Sequence, residues 1–187
     1  MMKKSVQHNK KGFTIVEVSL VLAIAGLIFL MVFIALPALQ RGQRDSKRRE
    51  DVDTLLTSIK KYQTNNRGAL PTGTGDFNKN DTVGVNDTNT WKGFLKDYTD
   101  NNFKDPSGGE FYRLSVAQCS SGGGNGNTCS GYSSSEIGSF PNDYTIYIVL
   151  QAACSGDEST GAVSSSNPRR LAALYRLEGN GVYCANI

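Results

Sequence analysis

The chain has 187 residues, 39% of them hydrophobic and 20% charged, with a formal charge of +3. Lys3, Lys4, Lys10 and Lys11 all precede residue 13, so beyond that point sixteen basic side chains face seventeen acids, which gives no general argument for a nucleic-acid partner. The one histidine, His8, also lies in that stretch, so the rest of the chain has no imidazole for a Ser-His or Cys-His pair; with no P-loop or dinucleotide fingerprint either, neither an enzyme nor a cofactor is expected.

The first element in chain order is an apolar run from Phe13 to Leu36, entered through Lys10-Lys11-Gly12-Phe13-Thr14-Ile15-Val16-Glu17. As a helix it is about 36 Å long, enough to cross a bilayer core of about 30 Å. Its only charge is Glu17. An ionisable group in such a segment costs on the order of 2.5–3.5 kcal/mol at the helix centre, so it is rarely kept without a role. A plain membrane anchor also carries lysines before an apolar helix, but needs neither Gly12-Phe13 nor Glu17. A secretory signal peptide would be cut near Ala23-Ile24-Ala25, and would leave a second apolar stretch, Gly26 to Leu36, on its product.

Basic residues, a glycine junction, an acid five residues on and a membrane helix together resemble the prepilin leader, the type III signal of type IV pilins and pseudopilins. The resemblance covers Lys10 to about Leu39. It implies that a prepilin peptidase cuts between Gly12 and Phe13, and that Phe13 is then N-methylated. It implies that Glu17 pairs during assembly with the N-terminal amine of a neighbouring copy. Gly26 stands where many members carry a glycine. The helix proline of the family usually falls where this chain has Ile34; here it is Pro37, so the expected helix break is displaced by about one turn. The four leader lysines place the N-terminus in the cytoplasm and everything after Leu36 outside.

Four segments follow: a leader over 1–12, a transmembrane and polymerisation helix over 13–36, an amphipathic continuation over 37–66, and a head over 67–187. With residues 1–12 and about 35 residues of membrane stalk set aside, the remaining ~140 suit one globular domain. Within the continuation, Arg41, Arg44, Asp45, Lys47, Arg48, Arg49, Glu50, Asp51 and Asp53 form a mixed charge block. It reads either as a contact with headgroups or a groove between subunits, or as a solvated face with pairs such as Asp45–Arg49. Val52, Leu55, Leu56, Ile59 and Tyr62 form one apolar helical stripe, ready to pack on a sheet. Asn65-Asn66-Arg67-Gly68 stops the helix.

Residues 72–89 read as a long polar loop. Asp76, Asn78, Asn80, Thr82 and Asp87 echo a calcium loop, but Asp81 replaces the turn glycine and Asp87 replaces the bidentate glutamate, so no metal is expected. Asn80-Asp81-Thr82 and Asn86-Asp87-Thr88 are formal glycosylation sequons. Trp91, Phe94, Leu95 and Tyr98 predict a short amphipathic helix capped near Asn89. Strands are predicted over 111–117, 144–151, 171–178 and 182–186, the last two joined by a turn at Gly179-Asn180-Gly181. Residues 120–135 and 155–168 are exposed loops, where partner contacts would vary most. The expected fold is α+β: the long N-terminal helix packed on an antiparallel sheet of three to four strands, as the pilin resemblance also implies.

Cys119, Cys129, Cys154 and Cys184 all follow the membrane segment. They allow three pairings; loop closure and strand order favour Cys119–Cys129 and Cys154–Cys184. A zinc site is the rival reading, against which the spacings lack any C-x₂-C pair. The function expected is that of a structural pilin: made in the cytoplasmic membrane, cut by the peptidase, and polymerised by the pilus assembly machinery into an extracellular filament. Its partners would be copies of itself and an adhesion target. A minor pilin, a pseudopilin of a secretion or DNA-uptake system, and a monomeric membrane-anchored binding module are the alternatives.

Overall fold

The structure, a computed structural model, describes residues 12–119, 144–154, 162–164, 167–179 and 181–187. The chain divides into two compact units, Met1–Gln40 and Arg41–Ile187. Helix α1 (Ile15–Asn65) contributes to both.

In the first unit α1 is exposed along its length, and its large side chains from Phe13 to Leu39 face outward. Leu, Ile, Val and Ala in near-continuous succession give a helix that is apolar all round, the pattern of a membrane span rather than a surface helix. It is long and apolar enough to cross a membrane. The sequence reading put a break at Pro37; the structure instead carries Pro37 inside an uninterrupted α1. A proline removes one backbone donor and crowds the preceding turn, but a helix with several turns on each side can hold that defect without ending.

In the second unit the predicted stripe is the buried face of α1: Val52, Leu55, Leu56, Ile59 and Tyr62. The helix closes where expected. Arg67 and Gly68 take positive φ, and the Gly68 N–H donates back to the Gln63 carbonyl at 2.7 Å. The remaining elements are β1 (Gly75–Asn78), α2 (Trp91–Tyr98), β2 (Arg113–Gln118), β3 (Thr145–Leu150), β4 (Ala152–Cys154), β5 (Ala162–Ser164), β6 (Leu171–Arg176) and β7 (Val182–Asn186).

Five of these strands form one sheet in the order β1-β2-β3-β6-β7; β4 and β5 pair separately. The count exceeds the three to four expected, because β1 falls inside the segment read as loop. The sheet is mostly antiparallel, with one exception: β2 and β3 run parallel, Arg113 opposite Thr145. Parallel neighbours need a long crossover, and this one leaves β2 at Gln118 and returns at Thr145.

Side chains alternate faces along each strand. Leu114, Val116, Ile146, Ile148, Leu171, Ala173 and Tyr175 join the α1 stripe in one core. Tyr147, Val149, Ala172, Leu174 and Val182 form a second cluster on the opposite face. Strands β3 and β6 are therefore buried on both faces. That explains why Ile146–Val149 and Leu171–Leu174 read as unbroken apolar runs instead of alternating. Helix α2 closes one end of the core. Trp91, Phe94 and Leu95 are fully buried, and Phe94 meets Tyr62, Trp91 and Tyr98 at ring-centroid distances of 5.6–5.8 Å. Gly93 is required there, since a Cβ would stand 2.3 Å from the Asp87 carbonyl oxygen.

Candidate functional site

The residues singled out in the sequence fall into three groups. At the head of α1, Gly12 is exposed with open space around it, and Phe13 is 87% exposed. Thr14-Ile15-Val16-Glu17 has the spacing of a capping box, and the geometry follows. The Glu17 Oε2 accepts the Thr14 backbone N–H and the Thr14 hydroxyl, both at 2.9 Å. The Thr14 Oγ1 accepts the Glu17 N–H at 3.3 Å. A helix start leaves backbone donors unsatisfied, and this box supplies one of them with a charged acceptor. The chain offers no basic side chain between Phe13 and Gln40, so Glu17 has no cation of its own within the apolar segment.

The second group is the cysteines. Cys154 on β4 and Cys184 on β7 are joined in a disulfide. Its neighbourhood is fixed further by the Cys154 N–H, which donates to the Asn186 Oδ1 at 3.2 Å. Cys119, just past β2, is buried; its expected partner Cys129 lies outside the described residues, as do residues 120–143.

The calcium echo is the third. Asn78 and Asp81 are taken up by a turn: the Asn78 N–H donates to the Asp81 Oδ2 at 2.8 Å, and the Asn80 N–H to the Asn78 Oδ1 at 3.1 Å. Among the described residues no three His, Cys, Asp or Glu side chains converge as an ion would need. Lys79, between them, reaches the end of α2 and donates to the carbonyls of Thr99 and Asp100 at 2.5 and 2.6 Å. A cation there complements the exposed carbonyls of a helix C-terminus.

The charge block keeps solvated helical pairs only in part, Lys47 with Glu50 at 3.2 Å among them. Its centre is buried in the head. Arg48 is 2% exposed and grips Asp105, 1% exposed, through Nε at 2.8 Å and Nη2 at 3.2 Å. Asp105 also accepts the Tyr175 hydroxyl at 2.7 Å and the Ser107 N–H at 2.8 Å. Burial works against the Asp105 carboxylate, and these donors outweigh it, holding the group below the usual carboxylate range. Asp45 accepts from Arg48 at 3.0 Å and also takes the Glu178 N–H at 3.0 Å. Arg44 and Glu178 form a bidentate pair at 2.6 and 2.8 Å, and the Arg44 contact holds Glu178 low. One turn on, Asp51 accepts the Tyr112 hydroxyl at 3.0 Å and pairs with Lys47 at 3.2 Å; here burial wins and raises the carboxyl. This network ties α1 to the segment before β2 and to the β6–β7 turn. A sequence signal for it existed. Counting back from Val52 in the helical repeat lands on Arg48, a cation on the apolar face.

A model of the prokaryotic N-terminal methylation motif matches residues 7–33. No curated protein and no solved structure matches the chain. The matched motif is the type IV pilin and prepilin signal. It supports a pilin-like or pseudopilin substrate of prepilin peptidase, and points to a structural subunit rather than an enzyme. With it, a long apolar helix, a mostly antiparallel sheet and the Cys154–Cys184 bridge make an α+β, pilin-like layout. The apolar helix fits membrane anchoring before assembly into a pilus-like structure.

Proposed function

We propose that this chain is a structural subunit of a type IV pilus. Prepilin peptidase cuts between Gly12 and Phe13, and Phe13 is N-methylated. The Phe13 amine of one copy then meets Glu17 of the next as the assembly machinery builds the filament. The observation that carries this reading is the methylation motif, matched over residues 7–33, with Glu17 as the sole charge of its apolar helix. A carboxylate in hydrocarbon needs a counter-charge, and the chain supplies none from its own side chains there. In the filament the head faces outward and carries any adhesive contact.

Protein from the producing cell, examined by intact mass and N-terminal sequencing, should begin at methylated Phe13. A mature chain that still carries Met1 or Lys4 would remove the prepilin reading, and replacing Gly12 with a bulky residue should leave the leader attached. Sheared surface filaments separate the finer roles. Abundance there marks a major pilin. A trace amount marks a minor pilin or pseudopilin, and confinement to the membrane marks an anchored binding module.

A further inference from the structure

Glu17 has two carboxylate oxygens, and the structure uses one of them. Oε2 takes both Thr14 donors, while Oε1 has no partner among the described residues. We propose that Thr14 is a positioning residue for assembly: it ties one Glu17 oxygen to the head of α1 and leaves the other free for a cation on a second copy of this chain. This rests on the reading of Glu17 as the assembly contact.

Three hydrogen bonds within one turn hold Glu17, two at its carboxylate Oε2 and one at its backbone N–H. A carboxylate offers about four acceptor sites, so the two Thr14 donors leave room for a third and stronger one. The timing follows from the chemistry of Phe13. Before cleavage its nitrogen is a neutral amide. Until a charged amine exists on a neighbour, the Thr14 N–H and O–H are the donors that keep Glu17 solvated in an apolar segment. After cleavage, the incoming amine finds a carboxylate already oriented, and less freedom is lost on contact. The Thr14 hydroxyl serves twice, as donor to Oε2 and as acceptor from the Glu17 N–H. Valine has the same shape and neither function.

The test uses cells in which the variant is the only copy of the subunit, with membrane insertion, leader removal and sheared filaments measured for each. Thr14→Val should insert and be cleaved like the parent, yet give about tenfold fewer filaments, the effect of losing one good cap. Thr14→Ser keeps the hydroxyl and should restore them. Parental filament numbers from Thr14→Val overturn the proposal if Glu17→Val assembles poorly in parallel. Normal filaments from Glu17→Val instead overturn the reading of Glu17 beneath it. An uncleaved Thr14→Val overturns the proposal by assigning Thr14 to peptidase recognition. Failure of Thr14→Ser overturns it too, since the methyl group and not the hydroxyl would then matter.

Discussion

Arg48 is a guanidinium on an otherwise apolar helical stripe, and its position decides how the head responds to mutation and to acid. Nearly every donor of the side chain is used: Asp105 twice, then Asp45, Ser107 and Glu178. A buried ion pair adds little over a well-packed apolar pair, but removing one partner strands the other. Arg48→Met keeps the volume and leaves Asp105 buried with only hydroxyl and backbone donors. It should destabilise the head by about 3–5 kcal/mol in chemical denaturation. The same pair sets an acid limit. Asp105 lies below its ordinary value when folded, so the unfolded chain takes up the proton first. Its contribution is complete above the ordinary carboxylate range and is lost as pH falls through that range to the folded value. Asp51 is raised, so its contribution has the opposite slope: stability falls as pH rises from the ordinary value to the folded one. Denaturation midpoints measured from pH 2 to 6 should therefore drop on the acid side. Asp105→Asn should flatten that drop, whereas Asp51→Asn should not. An unchanged acid limb in Asp105→Asn would assign the loss to other carboxylates.

At the scale of elements, the bridge between Cys154 and Cys184 closes a separation of 30 residues and fastens β4 to the edge strand β7. An edge strand has one neighbour, so β7 relies on β6 and on this bond to stay in place. Replacing both cysteines with serine should cost about 2–4 kcal/mol. Thermal unfolding of parent and variant, followed by circular dichroism without reductant, would show it. A variant as stable as the parent would mean that the β6–β7 register holds the edge unaided. This bridge was legible in the sequence, because Cys154 follows one strong strand and Cys184 lies in another. The α1 stripe, α2 and the four longer strands were legible too, since each carries its own periodicity or a β-branched run. Strand β1 was not. Gly75-Asp76-Phe77-Asn78 has one apolar residue and three poor strand formers, and it is a strand only because β2 offers it a ladder. The parallel pairing of β2 with β3 was equally hidden, because direction is set by the chain between them and leaves no mark on either strand. The capping box is local and could have been read from Thr14-x-x-Glu17. The Arg48–Asp105 pair spans 57 positions, and only the phase of Arg48 hinted at it.

The whole molecule separates two tasks along its length. Among the described residues every large hydrophobic side chain left exposed, apart from Val85, lies between Phe13 and Leu39. Among the described residues none before Arg48 is buried, and the hydrophobic core begins at Val52. Surface that needs a membrane or a neighbouring copy thus belongs to one unit, and the packed interior to the other. A fragment of residues 41–187 should accordingly fold alone. Cutting α1 at Arg41 exposes four backbone donors, which water can satisfy at an open helix end. Positive charge at a helix start is unfavourable, so Arg41 should fray. Fraying should stop near Arg44, whose bidentate pair with Glu178 holds the next turn to the head. The fragment should then be monomeric without detergent in size-exclusion chromatography with light scattering. Its thermal transition should be single and cooperative, near that of the full chain in detergent. Within the fragment, Arg44→Ala should lower the transition by a few degrees, while Arg41→Ala should leave it unchanged. Aggregation of the fragment, or a broad transition, would show that the head draws stability from the helix before Arg41, and the two tasks would not be separable.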